Sequence, residues 1–509
     1  MRTRSVTLML AAALVASLLM TAAPTAEAAG SSTTSVAPVR LRVMSFNIRY
    51  GAFYSTIQAV AKAIVAARAD VVGIDEPFGH TRKIARLLGW YAAPRLHTIS
   101  RFPIVQPPGS VGRWGYLLLG QGRVVAIANN HNPSSPYGPN LVREGVPKSV
   151  VLQKEQGRVR WQQPFLDALA PLVAAGQPVF FVGDFNSPSW RDWTPAVVHA
   201  LGWQPPTVHA KGPRYAIRWP VSLAIEHAGY RDSYREVHPN PITDPGFTWT
   251  SGHPTLAPWD VLDRIDFVWT AGPTTTLASQ VVGNPSPWTD IVSRPWPSDH
   301  RALVSTFSVV PAIAPTFVAP YDVRVAAGHK LRAAFHAPAA AGRKIGIWAR
   351  GTDPTTDPAL TFATLNAAAV DGVKPLSTGG LAPGDYALAM LDSGGALLSR
   401  VIFSVVDPQA PPTLTVSKRH FARGESISVT WTGAPGNRFD WLGLTRGASQ
   451  PGDAPLLEWR YIQAKIFGSG LINAGARGGW PLPPGRYRVS LCVDDDYRCI
   501  ASTAAFRIG

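Results

Sequence analysis

The tetrapeptide Gly183-Asp184-Phe185-Asn186 follows the apolar run Pro178-Val179-Phe180-Phe181-Val182, so an acid and an amide stand at the mouth of a buried strand. Two residues apart in extended backbone, a carboxylate and a carboxamide project the same way. One can accept a proton from water while the other donates to a phosphate oxygen. Alone, the tetrapeptide is a common strand-to-turn sequence, because single Asp and Asn residues at strand ends are usually turn formers or caps. Four further segments change that reading: Met44-Ser45-Phe46-Asn47-Ile48-Arg49, Asp70-Val71-Val72-Gly73-Ile74-Asp75-Glu76, Ala128-Asn129-Asn130-His131, and the closing pair Arg264-Ile265-Asp266-Phe267 and Ser298-Asp299-His300. Each ends or interrupts an apolar run with a polar group.

In this order the motifs resemble those of the endonuclease/exonuclease/phosphatase superfamily, the DNase-I-like metal-dependent phosphoesterases. The resemblance spans roughly residues 41–310 and includes Ser100-Arg101-Phe102-Pro103-Ile104 as a secondary signature. Hydrolysis of a phosphodiester needs a cation, a base to orient water, and donors for the charge that develops on the phosphoryl oxygens. Glu76 is the first candidate metal ligand and Asp299 the second. Carboxylates and water suit Mg²⁺, with Mn²⁺ or Ca²⁺ as alternatives, and no His/Cys cluster points to zinc. The resemblance sets Asn47 beside the metal and the scissile phosphate. Asp184 is the candidate to orient and deprotonate water, with Asn186 keeping it in register. His300 would donate to a non-bridging oxygen while Asp266 fixes its tautomer. His131 falls where the family often uses a histidine to contact the phosphate or protonate the leaving group.

Two positions depart from the family pattern. Asp75 stands where a Gln usually precedes the metal-binding Glu, and it could add a ligand, shift the metal or hydrogen-bond locally. Asp263-Arg264-Ile265-Asp266 offers two acids, of which Asp266 is favoured because Arg264-Ile265-Asp266-Phe267 is the fuller match. Arg49, Arg101 and Arg143 are open between phosphate clamps and structural salt bridges, and His80, His97 and His253 read as surface or loop histidines. Of Trp190, Trp193, Trp203, Trp219, Trp249, Trp259, Trp288 and Trp296, more than half read as packing rather than as base-stacking or lipid-facing residues.

The elements that must position these groups alternate. Residues 41–47 read as a strand, and Ser55–Arg68 as a helix with Ser55 and Gln58 at capping-box spacing. Asp70–Ile74 is a short apolar strand, and Thr81–Leu88 a helix stopped by Gly89. Arg113–Leu119 and Arg123–Asn129 form a hairpin through Gly120-Gln121-Gly122, and Val151–Ala175 is a long helix leading into the Gly183 strand. Such alternation also permits a parallel α/β sheet. The resemblance implies instead an α+β fold, a four-layer α/β/β/α sandwich, and beyond it the chain is expected to form two all-β sandwiches of immunoglobulin-like type.

Those sandwiches come from a repeat. Ala327-Gly328 and Arg350-Gly351 recur 96 residues later as Arg423-Gly424 and Arg446-Gly447, and Leu381-Ala382-Pro383-Gly384-Asp385-Tyr386 recurs as Leu482-Pro483-Pro484-Gly485-Arg486-Tyr487 at an offset of 101. The expected organisation is a secretory signal at 1–29, a linker at 30–40, a catalytic domain at 41–311, and sandwiches at 312–407 and 411–509. The signal rests on Arg2 and Arg4, the apolar stretch Leu8–Met20 and Ala26-Glu27-Ala28. No later run approaches the length of a membrane span. In an exported protein Cys492 and Cys499, on either side of Asp494-Asp495-Asp496, are expected to pair.

With 509 residues and a formal charge of +16, the chain can bury several cores and suits a polyanionic partner, although the charge is spread rather than massed. The expectation is a secreted, monomeric, metal-dependent phosphodiesterase acting on extracellular nucleic acid. A lipid phosphodiesterase of sphingomyelinase or phospholipase C type, a phosphomonoesterase and a surface-binding protein are the alternatives. The sandwiches are expected to contact a membrane or cell envelope and to be dispensable for turnover.

Overall fold

A computed structural model describes residues 37–201, 214–252, 262–473 and 479–509. The signal, the serine-rich part of the linker, Trp203, His253 and Trp259 lie outside the described residues. The nine-residue strand Val39–Asn47 buries Leu41 and every residue from Val43 to Asn47 while leaving Arg40 exposed, and it pairs in parallel with Val71–Asp75 so that Asn47 aligns with Asp75. A parallel pair brings both carboxy-terminal ends to one edge. The same happens in a second sheet, where Arg123–Asn129 runs parallel to Val179–Asp184. Asp266–Ala271 then pairs antiparallel with Val179–Asp184, its first residue opposite Asp184.

Each sheet has seven strands. The first runs Ile291–Val292, Thr274–Gly283, Ala302–Val309, Val39–Asn47, Val71–Asp75, Thr98–Ser100, Tyr91–Ala93. The second runs Ile104–Val105, Gly115–Gly120, Arg123–Asn129, Val179–Asp184, Asp266–Ala271, Arg231–Asp232, with Ala312–Ile313 added beside Arg123–Asn129. Leu41, Val43, Ile127, Phe180, Val182, Val268 and Phe307 fill the space between the sheets. Phe180 and Phe307 meet there at 4.7 Å between ring centroids, and full burial of such a ring contributes about 2 kcal/mol.

Helices Ile57–Ala66 and Thr81–Leu88 cover the outer face of the first sheet. Lys148–Ala174 and Pro220–His227 cover that of the second. The layers are therefore α/β/β/α with mixed sheets, not one parallel sheet. The helix after the first strand starts later than its sequence suggested. Thr56, in extended backbone, caps it by accepting from the Ala59 amide at 3.2 Å, whereas the Ser55 amide donates back to Ala52.

Two strand-rich sandwiches follow. The first packs Phe317–Pro320, Lys330–His336 and Asp371–Ser377 against a five-stranded sheet around Val318, Leu331, Ile347, Leu388 and Phe403. The second packs Thr413–Val416, Ile427–Thr432 and Gly468–Ile472 against a six-stranded sheet around Val429, Trp431, Leu444 and Leu491. The repeated tyrosines behave alike: Tyr386 donates to the Ala382 carbonyl and Tyr487 to the Pro483 carbonyl. Cys492 and Cys499 form a disulfide. Among the described residues no helix is long and apolar enough to cross a membrane.

Candidate active site

The strand ends deliver their polar residues to one edge of the sandwich. Asn47, at the end of Val39–Asn47, donates from Nδ2 to Glu76 Oε1 and to Asp184 Oδ2, both at 3.0 Å. Asp184 is buried and accepts two further hydrogen bonds, from the Asn186 backbone N at 2.8 Å and from Asn186 Nδ2 at 3.1 Å, and two imidazoles approach it. His131 Nε2 stands 3.6 Å and His300 Nε2 3.7 Å from Asp184 Oδ2. His131 Nε2 is also 3.8 Å from Glu76 Oε1. At the back, His300 Nδ1 bonds Asp266 Oδ2 at 2.9 Å, which leaves Nε2 facing the site.

The backbone is shaped to allow this. Gly183 has φ 138°, and a Cβ there would lie 1.9 Å from the Asn130 carbonyl oxygen, so only glycine lets the two strand ends approach. Asn186 has φ 48° and Glu76 φ 53°, left-handed conformations that turn the chain at the strand ends. Asn132 fixes the turn after Asp184 by donating to the Phe185 carbonyl and accepting from Asn186 Nδ2. Ser298 donates to the Asn47 carbonyl and accepts from the His300 amide. Thr248 Oγ1 accepts from the amides of Ile265 and Asp266.

Electrostatics separates the acids. Burial, and then the charge of Asp266, push the Asp184 carboxyl up to about 6. Burial opposes a charged His300, but Asp266 and Asp184 outweigh it and hold the imidazole up at about 10. Burial also works against the Glu76 carboxylate, yet His131 and the Asn47 amide keep it below its usual range. The raised Asp184 carboxyl thus sits between His300, which its acidic neighbours hold in the charged form, and the His131 ring.

Asp263 does not reach His300. Its oxygens accept from Tyr137 at 2.8 Å and Trp193 at 3.2 Å, and burial pushes it up to about 8. The orienting contact belongs to Asp266. Asp75 is buried and turned away from Glu76: its Oδ2 accepts the Asp184 amide at 2.7 Å and its Oδ1 accepts Asn129 Nδ2 at 3.0 Å. Of the three roles open to it in the sequence, hydrogen bonding is the one its geometry serves, although its partners are distant in the chain rather than local. Arg49 pairs with Asp299 at 3.2 Å and Arg101 with Asp70 at 3.5 Å. Trp193, Trp219 and Trp296 are buried, and Trp296 donates to the His300 carbonyl.

A hard divalent cation suits the donors present. Asp299 Oδ1 is buried without a hydrogen-bond partner while its Oδ2 pairs with Arg49, Glu76 Oε1 accepts the Asn47 amide, and both cysteines are committed to the disulfide. Oxygen donors of this kind match Mg²⁺, Mn²⁺ or Ca²⁺ rather than zinc. A second convergence, deeper in the site, is formed by Asp184, Asp266 and His300, whose ligand atoms lie within 4.8 Å of one another.

The sequence reads His97 as a surface or loop histidine; it does lie in the turn between Pro94–Leu96 and Thr98–Ser100, but it is buried, with its Nε2 2.7 Å from Asp494 Oδ1. Its partner lies 397 residues away, and no local signal announces it. Arg438 likewise reaches from the second sandwich to the Asn129 carbonyl at 2.6 Å.

Residues 44–300 match the sequence profile of the Endonuclease/Exonuclease/phosphatase family. An uncharacterized protein of Caenorhabditis elegans is 27% identical over 301 residues, which cover 53% of this chain and 92% of that protein. Among solved structures, an endonuclease/exonuclease/phosphatase from Beutenbergia cavernae is similar at 17% identity and a TM-score of 0.33, covering 72% of this chain and 99% of that one.

Proposed function

The chain belongs to the endonuclease/exonuclease/phosphatase family and is a metal-dependent phosphoric ester hydrolase, and from that premise we propose that it is an exported phosphodiesterase acting on nucleic acid. The observation that carries this reading is the buried Asp184 carboxylate, flanked by two imidazole Nε2 atoms at 3.6 and 3.7 Å. Asp184 takes the proton of the attacking water, and the Asn47 and Asn186 amides hold that carboxylate still. The charged His300, its Nδ1 committed to Asp266, donates from Nε2 to a phosphoryl oxygen. His131 serves the leaving-group side. Glu76 and Asp299, with Asn47 beside them, would hold the divalent cation, which supplies charge neutralisation at the phosphate when bound.

Nucleic acid is favoured by the +16 formal charge and by exposed aromatic rings on the segment that contacts Glu76 through Tyr50. The Tyr50 amide donates to Glu76 Oε2, and Tyr50 and Phe53 are 48% and 71% exposed. Such rings stack on bases at about 1–3 kcal/mol each. The same rings support the second reading, a lipid phosphodiesterase, because exposed aromatics also enter a lipid interface. The apolar N-terminal segment and the disulfide support export.

The test incubates the full chain with plasmid DNA, RNA, or sphingomyelin and phosphatidylcholine liposomes, with Mg²⁺ or EDTA. Asp184→Asn, nearly isosteric, should lose hydrolysis by about a thousandfold or more while folding normally. Metal-dependent nicking is the expected outcome. Head-group release with DNA left intact would move the substrate to lipid, and near-normal turnover by Asp184→Asn would sink the assigned base.

A further inference from the structure

The second sandwich sends two loops into the catalytic domain. One, between Ile427–Thr432 and Trp441–Arg446, carries Arg438. Its guanidinium donates to the Asn129 carbonyl at 2.6 Å and lies 4.7 Å over the Phe165 ring. Asn129 is two residues before His131, and its own side chain donates to Asp75, whose other oxygen accepts the Asp184 amide. The contacts therefore run from Arg438 through Asn129 and Asp75 to the backbone of the catalytic acid.

The other loop lies between the disulfide partners Cys492 and Cys499 and carries Asp494. This carboxylate is buried. Its Oδ2 accepts the Gly79 amide at 2.8 Å, and its Oδ1 contacts His97 Nε2 at 2.7 Å and accepts the Phe439 amide at 3.2 Å. Gly79 closes the loop that begins at Glu76, where Glu76, Phe78 and Gly79 have φ of 53°, 49° and 80°. Non-glycine residues hold such angles only when their surroundings impose them. The fit is tight: a Cβ on Gly79 would stand 2.7 Å from Val493 Cγ1.

We propose that the second sandwich is a working part of the active site, with Arg438 and Asp494 as positioning residues that brace the backbone carrying His131, Asp184 and Glu76. This rests on the hydrolytic reading of that site. It replaces, for the second sandwich, the expectation of a dispensable tether. Two buried or enclosed charges meeting across a domain boundary are costly unless geometry repays them, and here each is committed to main-chain groups of the catalytic loops.

The experiment uses the full chain with single substitutions, Mg²⁺, and bis(p-nitrophenyl) phosphate as a small diester, measuring kcat and KM separately alongside amide hydrogen exchange. Arg438→Met should lower kcat about tenfold or more, with KM within about twofold, since a small displacement of a reacting group is enough to do so. Arg438→Lys, which keeps one donor, should recover most of that loss. Exchange should quicken over residues 128–132 and 183–187 in Arg438→Met and over 76–80 in Asp494→Asn, and not in the strand Ala302–Val309. Unchanged kcat with unchanged local exchange, or exchange rising throughout the chain, overturns the proposal. If the unsubstituted protein does not cleave the diester, the hydrolytic reading fails, and the exchange pattern still decides whether the brace exists. Should Arg438→Met not fold, Asp494→Asn decides on the same criteria.

Discussion

The two sandwiches repeat one architecture and meet the catalytic domain by different physics. The first docks through apolar surface: Phe317, Ala319 and Ala334 join the core that covers the second catalytic sheet, and Tyr321 packs edge-on against Tyr91. Its ion pair there, Arg82 with Asp322, is partly exposed. The second docks through buried charge, Asp494 on Gly79 and His97, and Arg438 on Asn129. Equivalent loops make the contrast sharper. After Gly384–Leu391, Asp392 folds back on its own turn, accepting from Gly394 and Ala396. After Gly485–Cys492, the corresponding turn puts Asp494 into the neighbouring domain. Between Lys330–His336 and Lys344–Ala349, the buried Arg343 donates to three carbonyls of its own sandwich, Ala337, Ala340 and Ala369. The matching loop of the second sandwich aims Arg438 outward. Apolar docking holds a domain in place without specifying groups, whereas charged docking commits particular main-chain groups, as the proposed bracing of the Asp184 and Glu76 segments requires.

The contrast can be broken at several points. The largest difference is expected between the two arginines. Arg438→Ala should cost turnover about tenfold or more with a modest change in stability. Arg343→Ala should leave kcat unchanged and destabilise its sandwich by about 2–3 kcal/mol, read by denaturant unfolding, because buried carbonyls lose a charged donor. Equal kcat in both variants would erase the distinction. Next, replacing Cys492 and Cys499 by Ser together should lower stability by about 2 kcal/mol, from the added freedom of the unfolded loop, and should lower kcat in the direction of Asp494→Asn.

A smaller effect follows from pH. Burial opposes the Asp494 carboxylate, but His97 and the amides of Gly79 and Phe439 overcome it and hold the group below its ordinary 3.8. A depressed acid stabilises the fold above the unfolded value and loses that contribution as pH falls through the folded one. Amide exchange over 76–80 should therefore quicken below about pH 3.8, while the seam around Phe317 stays protected. The smallest effect belongs to Arg82→Ala, which removes a partly exposed pair. It should cost under about 1 kcal/mol and leave kcat unchanged.

Much of the catalytic fold was legible because its signals are local. Apolar runs ending in Asn47, Glu76, His131 and Asp184 are strands with polar ends, and the structure brings those ends to one edge. The helix Thr81–Leu88 and its Gly89 stop agree with the sequence residue for residue. Thr56 rather than Ser55 caps the earlier helix because the cap must be extended, a dihedral that neither residue type alone announces. Asp75 was ambiguous since its partner, the Asp184 amide, is 109 residues away. The burial of His97, in a turn as its sequence suggests, was hidden for the same reason on a larger scale.

Periodicity, strand-end chemistry and the internal repeat belong to short stretches of chain, so they place the strands, their polar ends and the repeated region, whereas the choice of two stacked sheets over one parallel sheet and the roles of the candidate site residues came from the family resemblance. The partner of each buried charge depends on which loops packing brings together. A carboxylate such as Asp494 has the same local sequence whether it caps its own turn or reaches another domain, and the desolvation that makes its partner indispensable arises only when the domains close around it.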